Sequence, residues 1–87
     1  MVSMSKMEKE ERSELAEIML KFKANSRWMF DHLDDLRKDH LNEYIAVYDQ
    51  KLVDGDKDFK RLVDRLRARY TEIRSIVIEY IAEKNSD

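Results

Sequence analysis

The stretch Tyr44–Phe59, YIAVYDQKLVDGDKDF, decides the fold, because the spacing of apolar residues changes within it. Tyr44, Ile45, Ala46, Val47 and Tyr48 are mostly aromatic or β-branched, types that suit a pleated surface. Asp49-Gln50 interrupts the run and Lys51-Leu52-Val53 resumes it, which predicts a β-hairpin over 44–54 with a short turn. Gly55, the only glycine, and the alternating carboxylates Asp54, Asp56 and Asp58 then lead into a helix. Gly55 is expected to turn the chain out of the strand with a positive φ. Asp54 or Asp56 is expected to cap the helix, with Asp58 in its first turn near the positive end of the dipole.

Downstream, Phe59, Leu62, Val63, Leu66, Tyr70 and Ile73 recur at helical spacing and predict a helix over 57–73. Residues 75–81, SIVIEYI, alternate as a strand, with Ile76, Ile78 and Tyr80 on one face and Val77, Glu79 and Ile81 on the other. Upstream, residues 5–40 contain neither glycine nor proline. Leu15, Ile18, Met19, Phe22, Met29, Leu33 and Leu36 form a helical stripe there. Acid-before-base pairs at i,i+4 support it: Glu8–Arg12, Glu17–Lys21 and Asp34–Lys38. The stripe weakens at Asn25 and Ser26, where either one helix bends or two helices meet, Ser26 being a fitting N-cap.

The expected fold is therefore α+β, in the order α–β–β–α–β, within a single domain spanning 1–87. The second and third strands flank a crossover helix and so run parallel to each other. Placing the apolar first strand between them gives sheet order 2-1-3 with antiparallel neighbours. Apolar residues occupy both faces of strands one and three. The crossover helix covers one face, and the N-terminal helix or a second subunit must cover the other, which favours a homodimer.

Trp28, His32-Leu33, Leu36-Arg37-Lys38, Tyr44 to Asp49, Val53-Asp54, Asp56-Lys57-Asp58, Leu62, Leu66 and Ile78-Glu79-Tyr80 together resemble a family of small, mainly archaeal proteins of unknown function. The resemblance covers about residues 25–82. It implies an α/β architecture like the one read from the residues, and an archaeal source. It carries over no catalytic residue.

Composition narrows the chemistry. A charged fraction of 41% with a net charge of −2 and 43% hydrophobic residues describes a folded domain with an ionised surface. The absence of cysteine removes disulfides and thiolate metal ligands. No apolar run approaches the roughly 20 residues of a membrane span, and the polar opening MVSMSKMEKEERSE lacks the apolar core of a secretory signal. A cytoplasmic protein is expected. A calcium loop starting at Asp54 would need glycine at its sixth position and glutamate at its twelfth, where Phe59 and Arg65 stand. His32 and His40 are eight apart rather than the four of a helical zinc pair, so they read as helix histidines beside Asp35, Asp39 and Glu43. With one glycine there is no phosphate loop and no nucleophile elbow. No catalytic residue, cofactor or metal is expected, and the protein is read as a non-enzyme.

Two surfaces remain. Leu15, Ile18, Phe22, Trp28, Met29 and Phe30 are candidate interface residues on the N-terminal helix, with the three consecutive large side chains at 28–30 covering most of its circumference. Lys57, Arg61, Arg65 and Arg69 are candidate phosphate-facing residues, in a segment (57–74) with seven cations and three anions. Without interleaved aromatics for base stacking, these cations are expected to pair instead with Asp31, Asp34 and Asp35 of the first helix. The favoured function is a homodimeric protein–protein interaction module. The alternative is a nucleic-acid-associated, antitoxin-like regulator using the basic helix face.

Overall fold

Strand β1 (Tyr44–Tyr48) is the middle of a three-stranded antiparallel sheet in the order β2-β1-β3, with β2 spanning Lys51–Asp56 and β3 Val77–Tyr80. The computed structural model describes residues 6–83, with side chains from Ser13 onward. Residue 5, the expected helix start, and the Glu8–Arg12 pair lie outside what is described. Helix α1 covers Lys6–Asp31, α2 covers Leu33–His40 and α3 covers Phe59–Arg69. The fold is α+β as expected, with the strand order expected.

Ile45, Ala46 and Val47 of β1 are fully buried, because each face of the central strand meets a different layer. Ile45 and Val47 pack with Met29, Leu36, Val77 and Ile81, flanked by Trp28, Leu33 and Leu52. Ala46 packs with Leu62, Leu66 and Ile76 under α3, flanked by both β1 tyrosines. Each fully buried leucine there contributes about 1.5–3 kcal/mol. The two faces of residues 76–81 divide as their alternation predicts. Both sheet faces are thus covered within one chain by α1–α2 and α3, so the sheet itself does not require a second subunit.

The turn at Asp49-Gln50 has φ of 53° and 56°, the paired positive values of a type I′ hairpin loop, which matches the strand twist. Gly55 has no positive φ; it lies within β2 opposite Ile45. The expectation that Gly55 turns the chain is therefore corrected. Among the described residues the left-handed ones are Asn42, Asp49 and Gln50.

The helix break is also displaced from the expected place. α1 runs unbroken through Asn25 and Ser26 and ends at Asp31; His32 (φ −107°, ψ 11°) separates it from α2. His32 Nδ1 lies 2.7 Å from the Trp28 carbonyl oxygen, which also accepts the His32 backbone N–H at 3.1 Å. The imidazole, stacked on the Trp28 ring at 4.2 Å, thus shares an acceptor with the helical ladder at this point. Asn25 is instead a buried tie. Its side-chain amide donates to the Ser75 carbonyl at 2.8 Å, and its Oδ1 accepts the Gln50 backbone N–H at 2.8 Å. One side chain therefore fastens α1 to the hairpin turn and to the turn that precedes β3.

Helix α3 is shorter than the expected 57–73. Asp58, not Asp54 or Asp56, is its N-cap and accepts the Arg61 N–H at 3.0 Å. At the other end Tyr70 turns extended (φ −123°, ψ 135°) and its ring meets Tyr48 at 4.8 Å. Ile73 still packs on the α3 side of the core, which explains its place in the helical pattern. The last strand begins at Val77 rather than residue 75, after a turn closed by the Ile76 N–H on the Ile73 carbonyl.

Candidate functional site

The most ordered polar constellation joins β2 to α3, and a register irregularity creates it. Val47 pairs with Leu52 but Ala46 pairs with Asp54, so Val53 is an extra residue in β2. Across this bulge Val53 and Asp54 both face α3, where strict alternation would have sent Asp54 to the other side. Asp56, opposite Tyr44, follows Asp54 onto the α3 face. Two residues of strand advance about 6.7 Å, and four residues of helix advance about 6 Å. The Asp54/Asp56 ladder and the Arg61/Arg65/Arg69 ladder therefore run nearly in step.

The contacts are dense. Arg61 donates to both Asp56 oxygens at 2.8 Å. Arg65 donates to both Asp54 oxygens at 3.1 Å, to Asp56 at 2.7 Å and to the Gly55 carbonyl at 3.1 Å. Arg69 lies 3.7 Å from Asp54 and donates to the Val53 carbonyl at 3.4 Å. The Arg65 guanidinium holds the Asp54 carboxyl below the usual carboxylate range, and the Gly55 N–H adds to this. Arg61, then the Asp58 N–H and Arg65, hold Asp56 well below that range. Both carboxylates are saturated by donors and stay ionised, so the cluster works as a clamp between strand and helix.

This places three of the four candidate phosphate-facing residues. Arg61, Arg65 and Arg69 face Asp54 and Asp56 rather than Asp31, Asp34 and Asp35, while Lys57 is exposed ahead of the helix. Of those acids, Asp31 of α1 pairs with Arg27, while Asp34 and Asp35 lie in α2 and pair with Arg37 and Lys38. The alternating aspartates and the i,i+4 arginines were the signal for this clamp, but the bulge that aligns them leaves no mark in the sequence. Aromatics do gather beside the basic helix, since Tyr44 contacts Phe59 at 5.3 Å and Tyr80 at 5.1 Å between ring centroids.

The candidate interface residues divide into two groups. Met29 is buried and Trp28 packs against the same cluster, so these two belong to the core. Ile18 is half-buried. Leu15 is 47% exposed, Phe22 46% and Phe30 77%, and Met19, outside the expected interface set, is 70% exposed. These four share one side of α1 that borders buried Met29, while Leu20, 69% exposed, lies on another side. Between α1–α2 and β3 lies a groove of about 290 Å³, lined by Ser26, Phe30, Leu33, Arg37, Tyr80 and Ile81 among others. The exposed stripe runs into this groove through Ser26 and Phe30. Leu33 and Tyr80 thus join the surface that the sequence had marked only by α1 residues.

The histidines serve local structure, His32 at the helix break and His40 with Nδ1 3.1 Å from Glu43. Among the described residues no three His, Asp or Glu side chains gather as a metal site, and no helix is long and apolar enough to cross a membrane.

Comparison with curated proteins and with solved structures gave no match. The family described as "Family of unknown function (DUF5678)" matches residues 35–84, from within α2 to just past β3. That span holds the whole sheet, α3 and the Asp–Arg clamp, and excludes Trp28 and His32 of the resemblance read from sequence. More than half of the chain is matched, and the protein belongs to the DUF5678 family.

Proposed function

We propose that this protein is a non-catalytic, homodimeric interaction module whose α1 helix carries the association surface. The observation that carries the reading is the set of large apolar side chains left in water on α1: Leu15, Met19, Phe22 and Phe30 along one side, with Leu20 exposed on another. Solvent-exposed apolar side chains gathered in one stripe mark contact surfaces, whereas scattered ones do not. The elongated shape, 57 × 31 × 19 Å, fits a helix that extends beyond the sheet it helps to cover. A non-catalytic role agrees with the clamp, whose carboxylates are held ionised by guanidinium donors and have no proton to exchange.

The phosphate-binding alternative is weaker, since the arginines that would meet phosphate already meet Asp54 and Asp56. The deciding experiment is sedimentation velocity on the full chain between about 5 and 500 µM. A mass of twice the 10.5 kDa chain, reduced to one chain by Phe22→Glu or Met19→Glu with unchanged circular dichroism, supports the reading. A single-chain mass throughout the range overturns it.

A further inference from the structure

The two outer strands of the sheet differ in how their free edges are treated. An antiparallel ladder turns alternate backbone groups toward the neighbouring strand and away from it. The Ile81 N–H donates to the Glu43 carbonyl at 2.8 Å, and β3 pairs with β1 from Val77↔Val47 to Tyr80↔Tyr44. Val77, Glu79 and Ile81 therefore bond inward, and the backbone groups of Ile78 and Tyr80 point outward. On β1 the groups of Tyr44 and Ala46 turn to β2, so Asp54 and Asp56 bond inward and Gly55 points outward.

The β2 edge is closed by side chains. The Gly55 N–H donates to the Asp54 carboxylate at 2.7 Å, the Gly55 carbonyl accepts from Arg65 at 3.1 Å, and the Val53 carbonyl accepts from Arg69 at 3.4 Å. The Asp–Arg clamp is thus also an edge guard. On β3 only the flanks are closed: the Ile76 N–H donates to the Ile73 carbonyl at 3.0 Å, and the Ala82 carbonyl accepts from Arg37 at 3.3 Å. Between these two stops, the N–H and C=O groups of Ile78 and Tyr80 have no protein partner among the described residues. The window is short, and it opens along the groove between β3 and α1–α2.

We infer that this window takes an antiparallel strand of a partner protein, one that carries a lysine or arginine between two apolar residues at alternating positions. Glu79 is exposed and pairs with no cation among the described residues. The residue of an added strand opposite Glu79 projects to the same face of the sheet, so a cation there meets its carboxylate. Residues two positions to either side lie opposite Val77 and Ile81 and reach the groove of about 290 Å³, where Phe30 and Leu33 supply apolar wall. Glu83 brings a second carboxylate to that groove, while Arg37 is already engaged by Asp34 and the Ala82 carbonyl. A second copy of β3 is the poorer occupant. The antiparallel register that joins Ile78 to Tyr80 of the other copy satisfies every open group, but it sets Glu79 directly against its own counterpart, and like charges so placed are destabilising. The inference goes beyond the α1 dimer and does not require it.

The test is a titration of dilute, isotope-labelled full chain at about pH 7 with the acetylated and amidated peptide Ser-Val-Thr-Lys-Thr-Val-Ser, followed by amide NMR. In this strand the threonine amides face β3, and the lysine and both valines face the groove side. The Ile78 and Tyr80 amide signals should shift and their hydrogen exchange should slow. The same peptide N-methylated at both threonines should bind about fivefold more weakly or worse, because it has lost the donors of the ladder. Glu79→Lys should weaken the lysine peptide by a similar factor and should prefer the peptide with glutamate in place of lysine. No change at Ile78 and Tyr80 at millimolar peptide overturns the inference. Equal binding by the N-methylated peptide also overturns it, since side chains are then captured without strand pairing. Shifts at these two amides with protein concentration alone, made stronger by Glu79→Gln, make a second copy the occupant and overturn it as well. The α1 reading is decided separately by sedimentation, so the two can fail independently.

Discussion

Replacing Asn25 by alanine should make the protein much easier to unfold, although Asn25 sits where the apolar helix pattern weakens. Asn25 is 2% exposed and makes two bonds of 2.8 Å, to the Ser75 carbonyl and the Gln50 N–H. The Ser75 residue is buried, so its carbonyl loses its partner outright, at about 1–3 kcal/mol. The Gln50 N–H is only partly buried and regains water, so its share is at the low end of the same range. Together the loss is about 2–4 kcal/mol, a large part of the 5–15 kcal/mol typical of a domain. At about 4–8 °C per kcal/mol for a domain of this size, Tm falls by at least about 8 °C. Urea unfolding followed by the fluorescence of Trp28, the only tryptophan, measures this directly. Dilute protein should be used, so that association adds nothing to the apparent stability. An unchanged slope with a lower midpoint is expected. A loss under about 0.5 kcal/mol would refute the claim that Asn25 ties three elements together. Asn25→Asp adds a second signature. Its carboxylate would still accept from Gln50 but would face the Ser75 carbonyl, so the variant should gain stability on acidification, when a protonated carboxyl can donate.

Three further outcomes follow from other features. Gln50 holds φ at 56° without being glycine, so Gln50→Gly should stabilise by about 0.5–1 kcal/mol in the same urea assay, because the Gln50 N–H is kept; a loss would contradict the type I′ turn. Gly55 has ordinary strand φ, and an added Cβ would meet the Tyr44 carbonyl at 3.4 Å and Ile45 Cγ2 at 3.6 Å, so Gly55→Ala should be neutral or stabilising by up to about 0.5 kcal/mol. Destabilisation beyond about 1 kcal/mol would show that the position needs glycine after all. Acid should weaken the wild type: Asp54 and Asp56 are held below the usual carboxylate range, and Glu72 is lowered to about 2 by Arg74. Between the unfolded and folded values the unfolded chain binds more protons, so their contribution is present above about pH 4–5 and is lost as pH falls. Thermal midpoints from pH 6 to pH 2.5 should fall, with a shallower slope for Asp56→Asn; identical slopes would refute the clamp as its source.

The parts of the fold carried by periodicity were legible, and the parts carried by register or by single buried polar contacts were not. The change from alternation to helical spacing at residues 44–59 set the element order. The crossover after β2 then left only one sensible place for β1. Asn25 looked like a defect in an apolar stripe, because a pattern of apolar residues cannot distinguish an exposed amide from one that ties three elements. Gly55 drew the turn because glycine is the usual left-handed residue, yet Asp49 and Gln50 accept positive φ in order to match the strand twist. The three arginines were found, but not their partners. That Asp54 faces α3 depends on Val53 being extra in the ladder, and no local preference announces it. The second sheet face, read as a reason for a dimer, is closed by Met29, Leu33 and Leu36 of the same chain.

With both sheet faces closed within the chain, the proposed association surface lies on α1 rather than on the sheet. From Asn25 to Asp31, α1 closes the sheet through Asn25, Trp28 and Met29, all outside the span 35–84 that defines the family. That span alone would leave Ile45, Val47, Val77 and Ile81 covered only by α2, so the fold needs a preceding helix for its own stability. Once such a helix is present and longer than the sheet, its remaining turns add surface without adding core. Leu15, Met19 and Phe22 lie on those turns, and an isolated apolar stripe there costs solubility unless something covers it. The stripe lies about 100° around the helix from Asn25 at about 100° per residue and borders Met29 at its edge. A change at buried Met29 is expected to act on folding, whereas on the proposed reading a change at exposed Leu15 or Met19 acts on association. In this chain the Asp–Arg clamp and the sheet lie inside the span that matches the family, and the outer half of α1, where the proposed association surface lies, falls outside it.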